Sequence, residues 1–281
     1  MKVKIGLIQM SMANDQEKNL QKALSMIKSA AAKGAQIICL PELFNAPYFP
    51  QEEKFDADSY LEKIPGKTTE VLSKIAKDLG VVIVGGSIFE QSNKKKFNTS
   101  FVIDEKGKLL GKYRKMHIPH DPGFYEQNYF QSGDLGFQVF ETKFGKISVL
   151  ICYDQWFPEA ARIAVLMGAD IIFYPTAIAN VDSIVQVEGN WQEAWEAAQR
   201  GHAITNATVV ATVNRVGREG GSTFWGGSFI YSQFGTLLAH GSKNEEIVIA
   251  EIDLSLGKKV KDGWRFFMER RPDSYSKLLD K

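Results

Sequence analysis

The stretch Ile147 to Arg162, I-S-V-L-I-C-Y-D-Q-W-F-P-E-A-A-R, constrains this chain more than any other. Ile147, Val149, Leu150 and Ile151 make a short apolar run rich in β-branched residues, the pattern of a buried strand. From Pro158 the period changes. Proline suits a first helical turn, Glu159 stands beside it, and Ala160, Ala161, Ile163, Ala164 and Leu166 follow at helical spacing. Cys152 sits where the strand stops, a few residues before the helix begins. A thiol near a helix N-terminus feels its partial positive charge, which favours the reactive thiolate. Many free cysteines are simply small buried hydrophobes, so position alone leaves both readings open.

Composition narrows the function classes. The 281 residues hold 44% hydrophobic and 24% charged side chains, enough for a sizeable core and too apolar for disorder. Lys+Arg 34 against Asp+Glu 33 leaves a formal charge of +1, with no basic field for nucleic acid. Lys94-Lys95-Lys96 reads as a solvated loop. No apolar run approaches the ~20 residues that cross a bilayer. The N-terminus enters a strand pattern without a signal-peptide layout. Cys39 and Cys152 are too few for a disulfide framework, so a reducing cytoplasm is the expected location.

In chain order, Ile5–Gln9 reads as a strand, and Leu20, Ala23, Leu24, Ile27, Ala30 and Ala31 mark one helix face closed by Gly34. Ile37–Leu40 is a short buried strand followed at once by Pro41-Glu42, which places a carboxylate at a sheet edge. A helix capped by Thr68 or Thr69 runs to Leu79, and Val81–Val84 is again a strand. Asn98–Ile103 and Leu109–Tyr113 form a hairpin about residues 104–107. Residues 114–135 have no usable periodicity and are long for a loop without a task. After the Pro158 helix come strands at Ile171–Tyr174 and Val209–Asn214, with a helix over Trp191–Asn206 between them. A hairpin through Ser228–Tyr231 and Thr236–Ala239 and a strand at Ile247–Ile252 complete the pattern. This alternation predicts one α/β domain over 1–281, helices outside a sheet sandwich. Residues 258–281 form an aromatic, arginine-bearing arm suited to a partner subunit.

Four groups at strand ends or in the long loop carry chemistry: Glu42, Lys115, Glu126 and Cys152. Each has a dull reading as a surface acid, a surface lysine or a packed thiol. Together they supply what thiol-based amide hydrolysis needs: a thiolate to attack, a carboxylate to take its proton, and a cation for the oxyanion. His117 and His120 lie three apart across a proline, with no second ligand cluster, so no metal site is expected. His202, on an apolar helix side, reads as a satisfied core histidine, and Cys39 as packing. Trp156 stands apart from the other tryptophans because it follows Cys152 by four residues.

L-P-E-L-F at Glu42, Y-R-K-M-H-I-P at Lys115 and L-I-C-Y-D-Q-W-F-P-E-A-A-R at Cys152 resemble, in order, the three signature blocks of the nitrilase superfamily of carbon–nitrogen hydrolases. F-Y-E-Q-N-Y-F, Y-P-T-A-I and N-R-V-G extend the resemblance over nearly the whole chain. C-Y-D-Q-W-F-P-E and Q-R-G-H-A are most similar to the N-carbamoylputrescine amidase branch. The resemblance implies a four-layer α-β-β-α sandwich that pairs through its helices into a homodimer or larger assembly. It implies Cys152 as nucleophile, Glu42 as general base, Lys115 and the Tyr153 backbone N–H as oxyanion partners, and Glu126 as support for Lys115 and the leaving group, with no metal or organic cofactor.

Relatives that cleave N-carbamoyl amino acids carry arginines just after the nucleophile; here Gln155 and Trp156 stand there. An uncharged or cationic tail therefore fits better, against Trp156 and Tyr125. The branch tends to read T-A-I-G-x-E where this chain has Val181, and Asp where it has His120. Asp182 or Glu188 is the expected substitute for the missing acid. Another ureido compound, an amide, a nitrile, or an inactive binding homologue are the alternatives.

Overall fold

The computed structural model describes residues 1–280. Two open sheets lie face to face. The first is seven-stranded and runs Glu246–Asp253, Lys2–Gln9, Ile37–Cys39, Val82–Val84, Lys95–Ile103 and Ile88–Ser92, with Leu109–Arg114 also paired to Lys95–Ile103. The second is six-stranded: Leu237–His240, Phe229–Tyr231, Val209–Asn214, Ile171–Thr176, Gly145–Val149 and Val139–Thr142. Each has a parallel centre of three strands, Lys2–Gln9 to Val82–Val84 in one and Gly145–Val149 to Val209–Asn214 in the other. These central strands are the near-continuous apolar runs seen in the sequence, because both faces are covered.

The covering elements explain the periodicities. Ile5, Leu7, Ile37, Val149, Phe173 and Ala211 belong to one buried cluster between the sheets. Helices α1 (Gln16–Ala32) and α2 (Lys67–Leu79) close the outer face of the first sheet, with Leu20, Ala23, Ile27 and Leu72 packed on Ile8, Ile38 and Ile83. Helices α3 (Pro158–Leu166) and α4 (Trp191–Asn206) close the second, where Ala160, Ala164, Trp195 and Ala203 meet Ile172 and Val210. The order of layers is α-β-β-α, as the resemblance implies.

The expected boundaries hold closely for α4 and for the hairpin of Lys95–Ile103 with Leu109–Arg114. The cap of α2 differs. Gly66 is the N-cap, and Thr69 sits in the first turn, where its hydroxyl accepts from Gly66 N–H at 2.8 Å and donates to Gly66 C=O at 2.8 Å. A third, three-stranded sheet joins Ala179–Val181, Ser222–Trp225 and Val216–Glu219 over the same end of the molecule as the sheet carboxyl edges. After α5 (Ser255–Trp264), the chain to Asp280 runs largely over the surface, with Trp264, Met268 and Leu279 exposed. Among the described residues no helix is long and apolar enough to cross a membrane.

Candidate active site

The parallel strands of both sheets deliver their carboxyl ends to one place, the position where open α/β sheets gather ligands. Ile37–Cys39 leads to Glu42, Gly145–Val149 to Cys152, Ile171–Thr176 to Ala177 and Val209–Asn214 to Arg215. Lys115 follows the strand Leu109–Arg114, and Glu126 opens a 3₁₀ turn, Glu126–Asn128, inside the long loop. That loop is ordered by its own backbone bonds: Lys115 N–H donates to Asn98 C=O at 2.9 Å, Tyr125 N–H to Pro50 C=O at 2.8 Å and Gly133 N–H to Lys115 C=O at 2.8 Å.

Glu42, Lys115 and Glu126 form one fully buried ionic cluster. The Lys115 ammonium donates to Glu42 Oε1 at 2.8 Å and to both oxygens of Glu126 at 2.8 and 2.7 Å. Asn98 Nδ2 holds Glu42 Oε1 at 2.8 Å, and the Tyr48 hydroxyl donates to Glu126 Oε1 at 2.7 Å. Every donor of the lysine is used. Glu42 Oε2 is buried and has no hydrogen-bond partner among the described residues. An unpartnered carboxylate oxygen in a dry site is costly unless a proton comes to it.

The cluster shifts its own titrations. Burial would lower the Lys115 pKa, but the charges of Glu126 and Glu42 outweigh it and hold the ammonium protonated. Burial raises Glu126 up to about 7; Lys115 opposes this and the charge of Glu42 adds to it. Two carboxylates thus share one cation, and Glu126 binds a proton well above the usual carboxylate range. The sign for stability follows. The folded value lies above the unfolded one, so the folded state binds more protons between about 4.3 and 7. Stability from this group is full below the unfolded value and lost as pH rises through about 7. We expect the urea midpoint to fall between pH 5 and pH 8 by the equivalent of about 2–3 kcal/mol. Glu126→Gln removes that component; an unchanged slope would refute the assignment.

Cys152 does not sit at the N-terminus of α3, and this corrects the expected thiolate. It begins a 3₁₀ turn, Cys152–Trp156, and α3 starts six residues later at Pro158. Burial, and then the charge of Glu42, push its pKa well above the usual thiol range; Lys115 and the Ala177 backbone bond pull the other way without winning. The resting sulfur is a neutral thiol, so deprotonation has to come from a neighbour. Its backbone is left-handed at φ 43°, as is Leu43 next to Glu42 at φ 46°. Both key turns therefore hold a non-glycine residue where it costs roughly 1–2 kcal/mol.

Several supports carried no separate signal in the sequence. Fully buried Arg215 donates to the carbonyls of Glu42 at 2.8 Å and Leu43 at 2.9 Å, and pairs with Glu219 at 2.7 Å. It fixes the Glu42 turn from behind. Asp154 accepts from Ile151 N–H at 2.8 Å, the Tyr113 hydroxyl at 2.8 Å and His117 N–H at 3.0 Å, joining the Cys152 turn to the Lys115 loop. His202 is satisfied by the Gln155 carbonyl at 2.8 Å, and Cys39 is packed between the sheets. Among the described residues no cluster of three metal-ligating side chains occurs.

A cavity of about 620 Å³ opens from Cys152 and Glu126. Tyr153, Gln155, Trp156 and Glu188 line it, together with Asp121 and Trp191. Trp195 Nε1 donates to Gln155 Oε1 at 2.8 Å, which fixes the amide and leaves its buried Nε2 unpartnered. Two expected binding residues are elsewhere. Asp182 forms a salt bridge with Arg218 on the surface, and Tyr125 lines a separate groove with Gly123, Val181 and Asp182. Asp182, just past the strand Ala179–Val181, is exposed and paired with Arg218. Asp121, which the sequence reading passed over, lies in the cavity instead.

The geometry permits acyl transfer by a thiol: a buried carboxylate with a free oxygen, a fixed ammonium and a thiol at the end of one cavity. Comparisons with known proteins agree in fold and family. The Carbon-nitrogen hydrolase family model matches residues 4–262. An N-carbamoylputrescine amidase of Solanum lycopersicum is 42% identical over 99% of this chain and 95% of its own length. A citrullinase of Francisella tularensis is 33% identical over 99% of both. The crystal structure of a carbon-nitrogen hydrolase from Helicobacter pylori G27 superposes with a TM-score of 0.94 at 38% identity, covering 100% of this chain and 99% of that one. With its α-β-β-α layers and a family match over most of its length, the chain belongs to the carbon–nitrogen hydrolases of the nitrilase superfamily.

Proposed function

We propose that this protein is a cysteine-dependent amidohydrolase that cleaves N-carbamoyl amines, with N-carbamoylputrescine as the leading substrate and putrescine, CO2 and ammonia as products. The observation that carries the chemistry is the free Oε2 of Glu42 in a buried cluster beside a protonated thiol. In this reading Glu42 takes the Cys152 proton as the Sγ–C bond forms, and the carbonyl electron pair moves to oxygen. Lys115 and the Tyr153 N–H meet that oxyanion. Collapse breaks a C–N bond and expels an amine, which receives the proton from Glu42. Water, deprotonated by Glu42, then attacks the S-carbamoyl intermediate and releases the thiol and a carbamic acid, which loses CO2. Glu126 holds Lys115 in place and keeps its charge.

The substrate class rests on charge. Asp121, Glu126 and Glu188 line the cavity, and no lysine, arginine or histidine does. Lys115 pairs with Glu126, while Asp121 and Glu188 form no salt bridge among the described residues, so the cavity presents two uncompensated carboxylates to a cationic tail. The Solanum lycopersicum relative, an N-carbamoylputrescine amidase, supports the same choice. Gln155 Nε2 favours a second reading, a ureido or amide substrate that also carries an acceptor oxygen, in line with the Francisella tularensis citrullinase.

The test is ammonia release by purified protein from N-carbamoylputrescine, citrulline, an N-carbamoyl α-amino acid without a side-chain amine, and a small aliphatic amide. N-carbamoylputrescine should give the highest kcat/KM. Preference for citrulline would select the second reading, and preference for the anionic substrate or the amide would remove the carbamoyl-amine assignment. We also propose that the exposed Trp264, Met268 and Leu279 of the arm meet a second copy of the chain. The two free thiols suit a reducing cytoplasm.

A further inference from the structure

Asp121 lines the cavity from a tight turn. Phe124 N–H donates to the Asp121 carbonyl at 2.8 Å, closing the turn Asp121-Pro122-Gly123-Phe124. Pro122 presets one backbone angle, and Gly123 takes φ 77°, which other residues resist. A Cβ on Gly123 would lie 2.9 Å from both methyl carbons of Val181, so the turn is seated against that buried valine. Val181 therefore braces the turn that carries Asp121.

The surroundings of Asp121 leave it available. Tyr153, next to Cys152, lines the same cavity, and its hydroxyl is held above its usual pKa first by burial and then by the charge of Asp121. Glu188, the other outer acid, accepts from Trp191 Nε1 at 3.3 Å. Among the described residues no cation pairs with Asp121, although lysines and arginines pair with acids over much of the surface. Asp121 is exposed at the cavity wall, so its carboxylate is open to a cationic ligand.

We propose that Asp121 is the specificity-determining residue of this cavity, binding the distal ammonium of an ω-amino ureido substrate while Cys152 faces the carbamoyl carbon. This rests on the amidohydrolase reading above. The substrate then spans the cavity with its apolar chain along Trp156 and Ile178, which line the wall between.

The test compares N-carbamoylputrescine with N-pentylurea, in which a methyl group replaces the ammonium. For the wild-type enzyme the charged substrate should have the higher kcat/KM. Asp121→Asn should reduce that selectivity ratio about 10- to 100-fold, through KM, as expected for a lost charge-assisted hydrogen bond. A ratio unmoved by Asp121→Asn, or a fall in kcat alone, overturns the proposal. Calorimetric titration of Cys152→Ala protein, with and without Asp121→Asn, reads binding independently of turnover. Charge-selective binding lost in the Asp121→Asn background supports the assignment even where wild type hydrolyses neither compound, an outcome that removes only the catalytic reading. Equal affinity of both backgrounds for N-carbamoylputrescine refutes Asp121 as its ligand.

Discussion

Cys152→Ala is expected to abolish ammonia release, by at least about 10⁴-fold in kcat, because among the described residues Cys152 is the only thiol that lines the cavity. The variant should fold. Alanine removes only the sulfur, leaves the 3₁₀ turn Cys152–Trp156 intact, and meets the same left-handed backbone cost. Its urea midpoint should lie within about 1 kcal/mol of wild type, since one small buried atom is lost from a site already open to a cavity. Cys152→Ser should be nearly as inactive. A hydroxyl has a far higher pKa than a thiol, and burial beside Glu42 raises it further. The measurement is ammonia against time with unfolding curves on the same preparations. Retained turnover in a folded Cys152→Ala protein would end the covalent mechanism.

Lys115→Met should damage both activity and stability, and the two effects separate. The ammonium is the cation shared by Glu42 and Glu126, all three at full burial. Without it two carboxylates face each other in a dry site, and one of them must take up a proton. Breaking a buried ion pair by removing one partner costs about 3–5 kcal/mol. Loss of the oxyanion partner should also cost about 10²–10³ in kcat. Adding Glu126→Gln to Lys115→Met removes the second charge, so the double variant should regain most of the stability and none of the activity. Equal recovery of both would mean that Lys115 serves the fold alone.

How much of this was legible in sequence depended on whether a residue's role was set by its own strand or by a distant one. The central strands were readable because burial on both faces makes continuous apolar runs, and α4 because Trp195, His202 and Ala203 recur on one side. Glu42, Lys115 and Cys152 could be singled out because each lies at or just past a strand end and within a block resembling the carbon–nitrogen hydrolases. Tyr48, Asn98 and Arg215 were not, since they reach the cluster from separate segments and no periodicity marks them. Asp182 was misplaced by counting along its strand: one step past Val181 turns a side chain to the opposite face, where Arg218 pairs with it. The thiolate expectation failed for a related reason. It weighed the partial charge at the start of α3, whereas burial first, and then the charge of Glu42 from the other sheet, raise the sulfur's pKa.

The protonation of that sulfur bears on how the protein meets oxidants. Thiolates, far more than thiols, attack peroxides and disulfides, and cysteine enzymes that store an ionised nucleophile are inactivated in this way at neutral pH. Here both thiols, Cys39 and Cys152, are buried and held well above their usual pKa. In the proposed mechanism, reactivity is generated when Glu42 accepts the proton during attack on a bound carbonyl. On that mechanism Cys152 stays a protonated thiol between turnovers, so the sulfur meets an oxidant as a thiolate only while a substrate is bound.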